Sequence, residues 1–191
     1  MPMHPTSPDS TSLAGLGTAL RRLQDAATTT SAPAEVVHEA ATAMEGITAL
    51  LAPFAGELGT EHDFEHYVAS SGAHTLNPEL TLTRLDSGEL EMSVRFGRYY
   101  RNAFGYVNGG AIALMFDTAI AHLAFPEHGR AYTASLSVAY RSLAPVETEL
   151  RVALAVQSRE GRKMTIAGAL RHGDILVAEV RSLLIAVRPP A

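Results

Sequence analysis

The chain has 191 residues, 47% of them hydrophobic, which suits one domain with an appendage and supplies enough apolar material for a sizeable core. Its net charge of -5, with no cluster of lysine or arginine, gives no footing for nucleic acid or an anionic membrane, and neither partner is expected. There is no cysteine, which excludes disulfides, thiolate metal sites and a cysteine nucleophile.

The opening Met-Pro-Met-His-Pro-Thr-Ser-Pro lacks the basic and apolar regions of a signal peptide, and the apolar runs fall short of the roughly 18 residues that span a bilayer, so a cytoplasmic protein is expected. Residues 1–12 are rich in Pro, Ser and Thr and read as a disordered tail. Residues 13–60 read as a helical extension. Leu13, Leu16, Leu20 and Leu23 recur at intervals of three and four, and after a linker from Thr28 to Pro33 a second helix runs over Ala34–Leu51, with Val37, Ala41, Met44, Ile47 and Leu51 on one face and Pro53 beyond its end. In the next stretch His62, Glu65 and His66 match the spacing H-x-x-E-H of certain zinc peptidases. The segment is short and polar and no third ligand follows in a recognisable motif, so these read as surface histidines and no metal is expected.

Residues 61–191 read as one domain, and from His74 the hydrophobic period changes to two. Leu80, Leu82, Leu90, Met92, Val94 and Phe96 alternate with polar residues on either side of Asp86-Ser87-Gly88, the pattern of a hairpin. A long apolar helix follows. Then Tyr132, Ala134, Leu136, Val138 and Tyr140 are expected on one face of a strand, with Thr133, Ser135, Ser137, Ala139 and Arg141 on the other. Strands over Leu150–Gln157, Met164–Arg171 and Ile175–Val187 are joined by Glu160-Gly161-Arg162 and His172-Gly173-Asp174. Two strands, one helix and four mostly antiparallel strands make an α+β fold in which the sheet curls around the helix, since no βα alternation repeats.

Asn108 has the side chain of an N-cap, Gly109 and Gly110 follow, and Ala111 to Phe125 is apolar on nearly every face apart from Asp117, Thr118 and His122, so the helix is expected to be wrapped by other structure. Without a Cβ, the glycines would let a ligand carbonyl approach backbone N–H groups at the positive helix end, an oxyanion site in outline. Asp117 is eight residues on, about 12 Å at 1.5 Å per residue, so a carboxylate acting beside Gly109 has to come from another helix, as in a two-fold dimer with antiparallel central helices. Close packing at the glycines and a hydrogen-bonded core acid form the plainer reading of the same residues.

With Asn102, Gly105, Asn108, Gly109, Gly110 and Asp117 at these spacings, the chain resembles the hot dog-fold acyl-CoA thioesterases, in particular the phenylacetic-acid-pathway and 4-hydroxybenzoyl-CoA thioesterases, from about Leu76 to Val187. In that family Asn-x-x-Gly-x-x-His-Gly-Gly leads into the central helix, with an Asp or Glu nine residues after the His. A Ser or Thr near the acid and a Tyr-x-x-Pro-like turn follow, and here Thr133 and the run Tyr140 to Pro145 look like those elements. Asn108 stands where the family usually has His; it can cap and donate but cannot titrate near neutral pH.

The resemblance implies a hot dog fold with an antiparallel sheet around a long central helix, and hydrolysis of an acyl-CoA without a cofactor. It implies a homodimer or a dimer of dimers. The Gly109 N–H, with Gly110 supporting the turn, would polarise the thioester carbonyl, Asp117 of the other subunit would act as base or nucleophile, and Asn102 and Thr133 would position the water or the acid. Arg141, Arg162 and Lys163 are the candidates for the phosphates of coenzyme A. A non-catalytic acyl-CoA or lipid-binding dimer is the alternative. A dehydratase or hydratase fits less well, because those enzymes place an Asp and a His five apart at the start of the helix, whereas His122 follows Asp117 well inside it.

Overall fold

The computed structural model describes residues 10–54 and 74–187. The chain forms two compact units that divide between Thr75 and Leu76.

In the first unit α1 spans Ser10–Thr29 and α2 spans Ala34–Leu51, followed by a turn of 3-10 helix over Ala52–Phe54. Ser10, Thr11 and Ser12, expected in the tail, form the start of α1. Pro33 opens α2 with φ -58°, the value its ring imposes, and its carbonyl accepts from the N–H groups of Val36 and Val37. No residue of α2 is buried. His62, Glu65 and His66 lie outside the described residues. Among the described residues no group of three or more His, Asp or Glu side chains could hold a metal.

The second unit is built from β1 (Glu79–Asp86), β2 (Glu89–Arg95), α3 (Gly109–His128), β3 (Ala131–Tyr140), β4 (Glu149–Glu160), β5 (Lys163–His172) and β6 (Ile175–Ala186). The strands form one sheet in the order β1-β2-β4-β5-β6-β3. Every neighbouring pair is antiparallel. The first hairpin turns where expected, with Gly88 at φ 80°, a conformation that costs glycine little.

Period-two alternation puts Leu90, Met92 and Val94 of β2 on one face, and the register continues that face through Leu150, Val152 and Leu154 of β4 and Met164, Ile166 and Leu170 of β5. All nine are buried. Gly168 is the gap in this layer. It lies opposite Leu154, and a Cβ there would overlap the Ala153 carbonyl oxygen and sit 2.5 Å from Leu154 Cδ2. On the outer face Arg84 of the edge strand pairs with Asp86 at 2.6 Å and with Glu89, while Arg151 reaches Glu91 at 2.7 Å. Such exposed pairs add little stability, but charge along an edge strand discourages pairing with another sheet.

α3 lies on the apolar face through Ile112, Met115, Phe116, Ala119, Ile120 and Leu123, the three-and-four spacing of a helix stripe. One expectation is corrected here. Residues Gly109–Pro126 reach a mean hydropathy of 1.3 over 18 residues, so one helix is long and apolar enough to cross a membrane by length and composition. Its stripe against the sheet accounts for that composition, because the core helix of a domain meets the same criterion. The sheet also covers one side of α3 only: Gly110, Ala113, Leu114, Asp117, Ala121 and Phe125 make a second stripe that is half-exposed or exposed.

Candidate active site

The approach to α3 is built by Asn102. Its Oδ1 accepts from the N–H groups of Phe104 at 2.9 Å and Tyr106 at 3.2 Å, and its own N–H donates to the Tyr106 carbonyl at 2.7 Å. The side chain thus closes a turn, which places it in the loop's framework. Past this turn, the Val107 N–H donates to Ala144 and the Asn108 N–H donates to Tyr100, so the chain enters the helix held from both sides.

Asn108 is the N-cap, extended at φ -63° and ψ 133°, and its Oδ1 accepts from the Gly110 N–H at 2.9 Å. Gly109 is the first helical residue, and its N–H has no acceptor within the helix. The carbonyl of Gly109 accepts from the Tyr140 hydroxyl at 2.7 Å. A Cβ on Gly109 would meet Tyr140 Cζ at 3.2 Å and the hydroxyl at 3.3 Å, and one on Gly110 would meet Asn108 Oδ1 at 3.3 Å. The space that a missing side chain was expected to leave for a ligand at Gly109 is therefore taken by the Tyr140 ring.

Asp117 is half-buried two turns on, and the Thr133 hydroxyl donates to its Oδ1 at 2.9 Å. This contact requires a correction to the faces of β3. Thr133 pairs with Leu184 and Ser135 with Leu183, so Ala134 is an extra residue, a bulge that reverses the alternation. Ala131 and Leu136 both pack on the core, Thr133 bonds α3 from the same side, and Tyr132, expected on one face with Leu136, is 69% exposed. Thr118, the next helix residue, donates to Asn77 Oδ1 at 2.8 Å. His122 is five residues beyond Asp117 and so points about 140° away round the helix; partial burial lowers its pKa from the ordinary 6.5.

One chain does not bring Gly109 and Asp117 together, since about 12 Å of helix lies between them. It does not gather the three basic candidates either. Arg141 follows Tyr140 and pairs with Glu179 at 2.7 Å. Arg162 donates to the Ala186 carbonyl at 3.2 Å, and Lys163 pairs in register with Ile185. Because Tyr140 lies opposite Ala178 and Ala131 opposite Ala186, these residues stand at opposite ends of β3, roughly 30 Å apart at 3.3 Å per residue. Sequence reasoning passed over the contact from Tyr140 to Gly109. The signal available was only an aromatic residue with a polar tip at the end of a strand, which commonly means a partner for the hydroxyl.

Residues 104–179 match the model of a family described as the thioesterase superfamily. The chain is also similar to several solved structures. A crystal structure described as a thioesterase superfamily protein is 24% identical, with a TM-score of 0.75 over 93% of this chain and 92% of the other. A mutant of the phenylacetic acid degradation protein PaaI from Thermus thermophilus is 18% identical, with a TM-score of 0.54 over 56% of this chain and 93% of the other. A hypothetical thioesterase with coenzyme A from Streptococcus pneumoniae is 10% identical, with a TM-score of 0.55 over 59% and 92%. At these identities the solved structures speak for the fold alone.

Proposed function

We propose that this chain, whose residues 104–179 match the thioesterase superfamily model, is a hot dog thioesterase that hydrolyses an acyl-CoA thioester to the free acid and coenzyme A, in sites shared between two copies. One observation carries the reading: the Asp117 carboxylate, held by Thr133, stands in the middle of the stripe of α3 that the sheet leaves uncovered. A carboxylate kept half-buried among apolar neighbours is costly unless it is paired or used. Two such stripes packed antiparallel about a two-fold axis would cover both and carry each Asp117 toward the partner's Gly109.

In that site the Gly109 N–H donates to the thioester carbonyl as it gains negative charge, and the partner subunit's Asp117 either deprotonates the attacking water or attacks the carbonyl itself. Thr133 orients the acid. Asn108 and Asn102 hold the loop, and no proton needs to pass through Asn108, whose amide does not titrate. Coenzyme A in a neighbouring structure supports the substrate class.

The test is a panel of acyl-CoA substrates with detection of the released thiol, run on the wild type and on Asp117→Asn. The wild type should release coenzyme A and the variant should be slower by about 100-fold or more, the range of a lost general base. Equal turnover in the variant would remove Asp117 from the chemistry. Tight acyl-CoA binding with no thiol release from the wild type would point to a binding protein instead.

A further inference from the structure

We propose that Tyr140 is a positioning residue for the Gly109 amide, an inference that rests on the thioesterase reading above. Two consecutive glycines are the most freely rotating pair a chain can hold, which is a poor way to aim a hydrogen-bond donor unless something fixes them. Here the peptide unit between Gly109 and Gly110 is held at both ends. The Gly110 N–H donates to Asn108 Oδ1 at 2.9 Å, and the carbonyl of Gly109 accepts from the Tyr140 hydroxyl at 2.7 Å. The Tyr140 ring also lies where a side chain on Gly109 would stand, 3.2 Å from the Cβ position, so it limits the rotation that glycine would otherwise enjoy. What is left unengaged by the cap is the Gly109 N–H: its own peptide unit is anchored where the Asn108 carbonyl accepts from Ala111 and Ile112, and the Tyr140 contact holds the other side of the Gly109 Cα.

The strand that supplies Tyr140 also supplies Thr133, the partner of Asp117. β3 therefore sets the donor at one end of α3 and the acid further along it. A donor contributes to acyl transfer only if it is already aimed at the developing oxyanion, so loosening it weakens transition-state binding more than ground-state binding. The loss belongs in kcat, with KM little changed.

The experiment uses the full chain with Tyr140→Phe, which keeps the ring and removes the donor. The kcat should fall by about tenfold, short of the roughly 100-fold or more that follows removal of an oxyanion donor outright, with KM within about twofold of wild type. Amide hydrogen exchange should quicken at Gly109 and Gly110 and stay unchanged at Phe116 and Ile120 in the buried stripe of the same helix. Unchanged kcat together with unchanged glycine exchange would overturn the proposal. A second arm combines Gly109→Ala with Tyr140→Ala. If the added methyl acts through the ring, the double variant loses no more activity than Tyr140→Ala alone; losses that multiply would mean the methyl acts on the substrate and would overturn the part assigned to the ring. A wild type inactive on every acyl-CoA overturns the thioesterase reading instead, and the exchange measurement then decides by itself whether Tyr140 fixes the turn.

Discussion

At Gly168 and Gly109 a methyl group would meet very different neighbours. At Gly168 it would run into the backbone of β4, which cannot move without breaking the sheet. Gly168→Ala should therefore cost about 3 kcal/mol or more, the upper part of the range for overpacked cores, read as a lower denaturant midpoint at unchanged slope. At Gly109 it would meet the far end of one side chain, so stability should change far less than turnover. Asn108 can be tested in the same way. Asn108→Ala removes the acceptor of the Gly110 N–H and should cost about 1 kcal/mol in denaturant unfolding. Asn108→His should retain or raise thiol release, because an imidazole nitrogen can take over the cap; a hundredfold loss in that variant would show that the amide itself is needed.

The elements differ in how far they can be read from the chain. The bounds of α2, the hairpin at Gly88 and the succession of strands along the chain follow from period, turn residues and proline alone, because each is set by residues close in sequence. The buried stripe of α3 is also legible, whereas its uncovered stripe is not, because Ala113, Leu114 and Phe125 are as apolar as the residues on the sheet. The bulge at Ala134 leaves no mark either. The run from Tyr132 to Tyr140 alternates without interruption, and only the pairing with β6 shows that Leu183 and Leu184 face Ser135 and Thr133 with one residue to spare. Asp117 and Gly109 are legible as residues about 12 Å apart on one helix, while the contact of Asp117 with Thr133 depends on that invisible residue. Deleting Ala134 should leave a folded sheet with normal far-UV circular dichroism and turn Thr133 away from Asp117, with a loss of turnover similar to that of removing the Thr133 hydroxyl. Retained activity in the deletion would separate Thr133 from the site.

At the scale of the molecule, two impaired variants should repair each other. Asp117→Asn keeps Gly109 intact, and Gly109→Ala keeps Asp117 intact. After subunit exchange, random pairing makes half of the dimers mixed, each with one restored site of two, so about one quarter of wild-type activity should return. No recovery despite exchange verified by mass spectrometry would place both residues in one chain's site, against the helix spacing. A site shared between two chains would also tie output to amount. Below the dissociation constant of the pair, the number of complete sites grows with the square of chain concentration, so doubling the protein quadruples the rate; above it, doubling only doubles. Below that constant dilution acts as an inhibitor that needs no ligand, and halving the supply of the chain there would remove three quarters of the hydrolysis.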